Sequence, residues 1–247
     1  QSNMVSKSLI GQNIGVDLIV DESRPTTYKT RYMVENQKLF RVSRIKDHKI
    51  SAEIEQKIID KLTVLAPNID GILVSDFIYG VITQNILDFI IKLSKQFNIK
   101  LYGDLQCSSQ AGKVSKFRDF DLITPTEKES RIALDDNESG VEWVATTLLK
   151  NTNSKNMLLK LGSDGFIAYS KNLIDRQDFP ALSVNPVDVT GAGDSLFAVM
   201  SVSLSSGANL IEASVIGTCM ASLAVKDIGN TPITNDRLNQ YIYEVLH

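Results

Sequence analysis

From residue 71 onward the chain alternates short apolar runs with amphipathic stretches, and this alternation limits the fold more than any other feature. Gly71-Ile72-Leu73-Val74-Ser75-Asp76 is a brief apolar run ending in polar residues, the mark of a strand covered on both faces. Residues 83–97 follow as a predicted helix, with Thr83 as N-cap and Ile86, Leu87, Ile90 and Leu93 on one face. The same reading predicts strands over 99–104, 121–126 and 156–161. It predicts helices over 127–134 and over 140–151, the second carrying the only tryptophan, Trp143. Gly162-Ser163-Asp164-Gly165 turns the chain into a hairpin with 166–169. Helices are expected over 194–206, 211–226 and near 234–246. Repeated strand–helix units imply an α/β fold with a parallel sheet between helical layers. Ligands bind such sheets at the carboxyl ends of the strands.

Residues 16–47 break the pattern. Val16-Asp17-Leu18-Ile19-Val20 reads as a strand, and Thr26 to Arg44 alternates around Glu35-Asn36-Gln37 as a hairpin, without helices. A helix over 51–66 joins this β segment to the core. Gln1-Ser2-Asn3 resembles a tag remnant, and 4–15 reads as a linker or a truncated edge of the core. The domain plan is therefore 1–3 tag, 4–15 linker, 16–47 β-lid and 48–247 α/β core.

Composition removes several function classes. A net charge of −3 gives no basic surface for nucleic acid or anionic membrane, and no apolar run is long enough to span a bilayer. His48 and His247 are the only histidines, too few for a His-rich zinc site. Cys107 and Cys219 make no disulfide framework, and no secretory signal is visible, which points to a reducing cytoplasm.

The chemistry concentrates in Asp188-Val189-Thr190-Gly191-Ala192-Gly193-Asp194-Ser195. Two glycines flank an alanine just ahead of an amphipathic run, so a tight turn feeds a helix N-terminus. The N–H groups of Gly191, Ala192 and Gly193 would face an anion there, helped by the helix dipole. Asp194 beside that anion is well placed to take a proton from an attacking hydroxyl. An anion cradle plus a base is the core of phosphoryl transfer to an alcohol.

Asp-x-Thr-Gly-Ala-Gly-Asp resembles the C-terminal signature of the PfkB/ribokinase family of carbohydrate kinases. The resemblance implies a ribokinase-like three-layer α/β/α sandwich with a mostly parallel sheet and a partial β-lid. It makes Asp194 the catalytic base and Gly191, Ala192 and Gly193 the anion hole. Arg24-Pro25-Thr26-Thr27-Tyr28-Lys29-Thr30-Arg31, with Gln37 and Arg41 after it, is similar to the lid of the heptose-phosphate kinase branch. Alternation puts Lys29 and Arg31 on one strand face and Thr30 on the other, so Lys29, Arg31 and Arg41 are candidate ligands of a sugar phosphate. Ser75-Asp76-Phe77-Ile78-Tyr79-Gly80 resembles that branch's Ser-Asp-Tyr-x-Lys-Gly, giving Asp76 a substrate-side role, with Tyr79 where the lysine would be.

The family's Asn-x-x-Glu matches Thr126-Glu127-Lys128-Glu129, with threonine replacing asparagine; Glu129 and Thr126 would meet Mg²⁺ through water. Lys160, Gly162, Ser163 and Gly165 fall beside the nucleotide in the resembling fold. Thr218, where relatives often carry asparagine, falls near the adenine, and Gly229 in the loop that closes the base pocket. Asp188 and Thr190 would shape a monovalent-cation site. The implied cofactors are ATP, Mg²⁺ and K⁺, the implied substrate a sugar or sugar phosphate, and the implied assembly a homodimer through the lid.

The resemblance covers about Val16 to Leu246; the family normally has a strand, sugar-contacting aspartates and a Gly-Gly pair ahead of the lid. The expectation is that this chain alone binds nucleotide better than sugar, or pairs with another chain. Two rival readings stand beside it. One is a non-catalytic nucleotide-binding domain of the same fold; the other is a kinase for another small alcohol such as a nucleoside or vitamin.

Overall fold

The computed structural model describes residues 2–11, 14–34, 37–107, 112–171, 176–183, 186–229 and 231–246. Glu35 and Asn36 of the expected hairpin turn, and His247, lie outside the described residues.

Helix α1 spans Ser2–Ile10, where a linker was expected from residue 4. Strands β1 (Tyr28–Val34) and β2 (Gln37–Arg44) form a separate antiparallel ribbon. Helix α2 (Ala52–Leu65) leads to β3 (Gly71–Asp76), α3 (Gln84–Phe97), β4 (Lys100–Leu105) and β5 (Leu122–Ile123). Then come α4 (Glu127–Leu134), α5 (Val141–Thr152), β6 (Asn156–Lys160), β7 (Phe166–Ser170) and β8 (Gln177–Phe179). Helices α6 (Ala192–Ser205), α7 (Leu210–Ala224) and α8 (Asn235–Leu246) close the chain.

The main sheet is six-stranded in the order β3-β4-β5-β6-β7-β8. Strands β3 to β6 are mutually parallel, and β7 and β8 continue antiparallel. Successive residues split cleanly between two cores. Leu101, Ile123, Met157, Leu159, Ile167 and Tyr169 pack with α2, α3 and α5. Tyr102, Leu122, Leu158, Phe166 and Ala168 pack with α6 and α7. Both faces of β4 to β7 are covered, which is why these strands read as continuous apolar runs; β3, expected to be covered in the same way, is an edge strand and leaves Leu73 and Ser75 exposed. The result is three layers, α/β/α.

Two expectations need correction. Val16–Val20 form no strand: a strand needs a ladder partner, and this segment instead runs extended over α2, tied by an ion pair from Lys61 to Asp17, with Leu18 and Val20 exposed. The strand expected over 121–126 shrinks to Leu122–Ile123; beyond it Thr126 keeps only an isolated parallel bridge to Lys160 while its side chain caps α4.

Asn98, Asp135 and Asn153 end α3, α4 and α5 in the left-handed region, the conformation that Asn and Asp tolerate best after glycine. In the β6–β7 hairpin Gly165 has φ 92°, and a Cβ there would lie 2.1 Å from the Phe179 carbonyl oxygen. Both backbone strain and collision forbid a side chain. Gly165→Ala should lower stability by about 2–4 kcal/mol, read as a fall in thermal or denaturant midpoint.

Candidate active site

Four parallel strands end in a row at one edge of the sheet, and each delivers a polar side chain there. Asp76 ends β3, Asp104 is next to last in β4, Thr124 follows β5 and Lys160 ends β6. Asp104 is almost fully buried, with its side chain 1% exposed. Its Oδ1 accepts from Thr124 Oγ1 at 2.6 Å and from Lys160 Nζ at 2.7 Å. A buried carboxylate held by a hydroxyl and an ammonium is fully compensated in charge.

The N-terminus of α6 meets this row. Gly191 sits at φ 84°, the left-handed conformation that turns the chain into the helix. Among the described residues the amides of Gly191 and Gly193 have no backbone acceptor, and that of Ala192 makes only a 3.4 Å contact with the Val189 carbonyl. Asp194, in the first turn of α6, accepts from Gln106 Nε2 at 2.5 Å. Water reaches Asp194 from the open side, but the strand ends beneath remove enough solvent to push its carboxyl above the ordinary aspartate range. The negative charge of Asp104 adds to the rise, while Lys160, the Gln106 hydrogen bond and Lys29 oppose it.

Asp188 ties the signature to the 225–229 loop. Its Oδ1 accepts from Thr190 N at 2.9 Å and its Oδ2 from Gly229 N at 3.1 Å. Burial alone would raise its carboxyl, but those hydrogen bonds and the charge of Arg31 outweigh it and hold the group below its usual value. Val187 N donates to Val225 O at 2.8 Å and closes the same junction.

On the lid, Lys29 faces Ser43 and Arg31 faces Arg41 across the ladder, so the three cations share one face, as alternation requires. Lys29 Nζ lies 4.6 Å from the Phe77 ring centroid and 5.3 Å from that of Tyr79. The charges of Lys29 and Arg31 reach Asp194 and Asp188 respectively, so this face looks onto the signature. Asp76 is buried; its Oδ1 accepts from Ile78 N at 2.8 Å and its Oδ2 is paired with the Lys116 ammonium, which burial brings down to about 8.

Thr126 and Glu129 form a reciprocal cap on α4. Thr126 Oγ1 accepts from Glu129 N at 3.2 Å, and Glu129 Oε2 accepts from Thr126 N at 2.8 Å. Glu129 Oε1 accepts from Cys107 N at 3.0 Å, linking the cap to the end of β4. Among the described residues no three His, Cys, Asp or Glu side chains cluster as a metal cage. That donor set suits Mg²⁺ held by phosphates and waters, because each Glu129 oxygen keeps a lone pair for a metal-bound water.

The structure thus brings Asp194, the Gly191–Gly193 turn and Lys160 together, with Lys29 facing them. It groups Asp188, Thr190 and Gly229 beside Arg31. It leaves Gly162, Ser163 and Gly165 in the hairpin, where Gly165 has a packing role of its own. Thr218 is nearly buried on α7 and spends its hydroxyl on the Ser214 carbonyl at 2.8 Å. Sequence reading assigned no role to Asp104, Gln106, Thr124 or Lys116. Asp104-x-Gln106 carried the same signal as Asp76, a polar pair at a strand's carboxyl end; Lys116 had none.

The sequence profile of the pfkB family of carbohydrate kinases matches residues 2–236. The chain belongs to this family. Among curated relatives, bifunctional protein HldE of Helicobacter hepaticus is 31% identical over 239 residues, covering 94% of this chain and 48% of that protein. HldE of Geotalea uraniireducens is 30% identical over 227 residues, covering 89% and 45%. The chain therefore spans about half the length of these relatives. Among solved structures, phosphofructokinase-2 from Escherichia coli in complex with substrates and products superposes with a TM-score of 0.80 at 16% identity, over 99% of this chain and 79% of that one. Ribokinase from Thermotoga maritima gives 0.74 at 24% identity, over 98% and 77%. The ribokinase-like fold expected from the signature is the fold of this pfkB-family chain. Among its described residues no helix is long and apolar enough to cross a membrane.

Glu129 can be tested as a structural cap apart from any metal. Glu129→Ala removes acceptors from two backbone N–H groups and should lower stability by about 1–3 kcal/mol without nucleotide or Mg²⁺ present, measured by urea denaturation.

Proposed function

We propose that this chain carries the catalytic machinery of an ATP-dependent sugar-phosphate kinase. The observation that carries the reading is Asp194 at the N-terminus of α6, with its carboxyl raised, beside unpartnered turn amides and an ammonium. Asp194 takes the proton of a substrate hydroxyl. The freed oxygen attacks the γ-phosphorus of ATP as the bond to the bridging oxygen breaks, leaving ADP. Amides of Gly191, Ala192 and Gly193 stabilise the charge on the equatorial oxygens. Bound Mg²⁺ neutralises the nucleotide phosphates, and Glu129 and Thr126 would orient its waters. Gly162, Ser163, Gly165, Thr218 and Gly229 would border the nucleotide. Asp188 and Thr190 would frame a K⁺ site; a phosphofructokinase-2 structure of the same fold is in complex with potassium.

A phosphorylated sugar is favoured by the lid. Arg31 and Arg41 stand directly opposite each other, so two guanidinium groups able to grip a phosphate share one lid face. Asp76 would accept from a sugar hydroxyl. The resemblance of Arg24–Arg31, Gln37 and Arg41 to the lid of the heptose-phosphate kinase branch supports a sugar phosphate of the heptose class. The outer lid face carries Tyr28, Tyr32, Phe40 and Val42, all about half exposed, with Tyr32 and Phe40 stacked at 4.5 Å. Such a patch on a two-stranded ribbon supports pairing with a second copy. Use of ATP fits a cytoplasmic location.

With Mg²⁺, K⁺ and a panel of sugar phosphates including heptose 7-phosphate, one substrate should be turned over. Asp194→Asn should cut kcat by at least about 10³-fold while sparing ATP affinity. Failure of every acceptor, with ATP still bound in calorimetry, would leave a nucleotide-binding domain instead. Because the Asp194 carboxyl is raised, it is protonated and inactive below its folded pKa; the acid limb of kcat should therefore lie above the usual aspartate range. Phe40→Asp should shift the protein to monomer in sedimentation velocity, whereas an unchanged state would remove the lid from the interface.

A further inference from the structure

Gly193 is the second residue of helix α6, and its φ is not in the left-handed region. Backbone strain therefore does not demand glycine there. Glycine is moreover a weaker helix former than alanine. A Cβ at 193 would meet no protein atom closer than 3.7 Å, and that atom is Lys160 Nζ. The space a side chain would fill is thus the space between the turn and an ammonium. Lys160 comes from a different element, the end of β6, and its backbone N donates to Pro125 O at 2.8 Å, which fixes its base. Its side chain is 15% exposed and its charge faces Asp104 at 2.7 Å. An ammonium has three donors. One is taken by Asp104, and the hydroxyl of Thr124 on the same oxygen keeps that carboxylate from turning away.

We propose that Lys160 is a catalytic residue whose ammonium completes the anion hole over Gly193 and touches the transferred phosphoryl group, and that Asp104 is the positioning residue that holds it there. This rests on the kinase reading above. As the substrate oxygen bonds to the γ-phosphorus and the bridging bond breaks, its electron pair leaves with ADP and the substrate proton goes to Asp194. Charge on the equatorial oxygens grows beside the turn, where a fixed point charge adds to the amides. Asp104 also separates the two roles. It neutralises part of Lys160, so that Asp194 is not stripped of its basicity by a bare cation. The charged groups facing Asp194 are Asp104 from β4, Lys160 from β6 and Lys29 from the lid, with the Gln106 amide between.

The test is calorimetry with Mg-ADP, alone and with tetrafluoroaluminate, which mimics a phosphoryl group in transfer. The wild-type protein should gain about tenfold or more in affinity from tetrafluoroaluminate. Lys160→Met should bind Mg-ADP within about threefold of wild type and lose that gain. Gly193→Ala should keep or raise the thermal midpoint and also lose the gain, because its methyl fills the hole. A Lys160→Met protein that retains the gain overturns the assignment. So does one whose affinity for Mg-ADP alone falls by the same factor, since Lys160 would then be an ordinary nucleotide ligand. A wild-type protein with neither the gain nor turnover marks failure of the kinase reading itself. For Asp104, the readout is the acid limb of kcat. Asp104→Asn removes a negative charge and should move it to lower pH, while Lys160→Met should move it to higher pH. Limbs that stay in place in both variants overturn the positioning role.

Discussion

The parallel register of β3 to β6 is the constraint on which the site depends. A parallel ladder sends every strand's carboxyl end to the same edge, and the chain returns over a face between strands, as α3 between β3 and β4 and as α4 and α5 between β5 and β6. The polar ends of otherwise apolar strands therefore collect in one row without any contact between them in sequence. Asp76, Asp104, Thr124 and Lys160 come from four separate segments and become neighbours only through that register. Leu101 and Tyr102, one step apart, bury into opposite cores and lock it, because a slip of one residue would exchange the two faces. Helix α6 packs on the sheet through Leu196, Phe197 and Met200, and this fixes where its N-terminus arrives. The position of Asp194 is thus set by hydrophobic packing in the body of the same helix.

Electrostatics at the edge follow from having two carboxylates and one ammonium in a partly dry recess. Asp104 is inside and compensated, while Asp194 is at the mouth and accepts only the Gln106 amide among the described contacts. The same residue type therefore behaves differently by environment, one as a charge clamp and one as an open carboxyl raised above its usual range by burial and by Asp104. The lid adds cations from above. Its inner face carries Lys29, Arg31 and Arg41, and its outer face is aromatic. A two-stranded ribbon with those faces has little stability alone, which ties the lid's order to what it covers on each side.

Much of this was legible in the sequence, for identifiable reasons. Most core elements from 71 onward were readable because strands covered on both faces are short apolar runs, and because Thr83 announces α3 by capping. The turn at Gly191 was readable because its glycine spacing has few other uses. Val16–Val20 misled because β-branched composition records a preference for extended backbone, and extended backbone without a partner is not a strand. Asp104 was passed over because it stands second to last in an apolar run and looks like strand punctuation. Its importance lies in a contact with Lys160, 56 residues away, which no local pattern encodes.

Position 79 shows how far such hidden compensation goes. The resembling branch carries a lysine there, and this chain carries a tyrosine, which in sequence looks like the loss of a cation beside Asp76. In the fold the cation is supplied from elsewhere. Lys116, on a turn between β4 and β5, pairs directly with the Asp76 carboxylate, and Lys29 of the lid lies over the rings of Phe77 and Tyr79. Tyr79 itself is buried, so it has become a platform for a cation in place of a cation. The cation at Asp76 thus comes from the core, through Lys116, while the lid's Lys29 rests on the aromatic pair that follows Asp76, so the two ammoniums are anchored on different elements and neither depends on position 79 being basic.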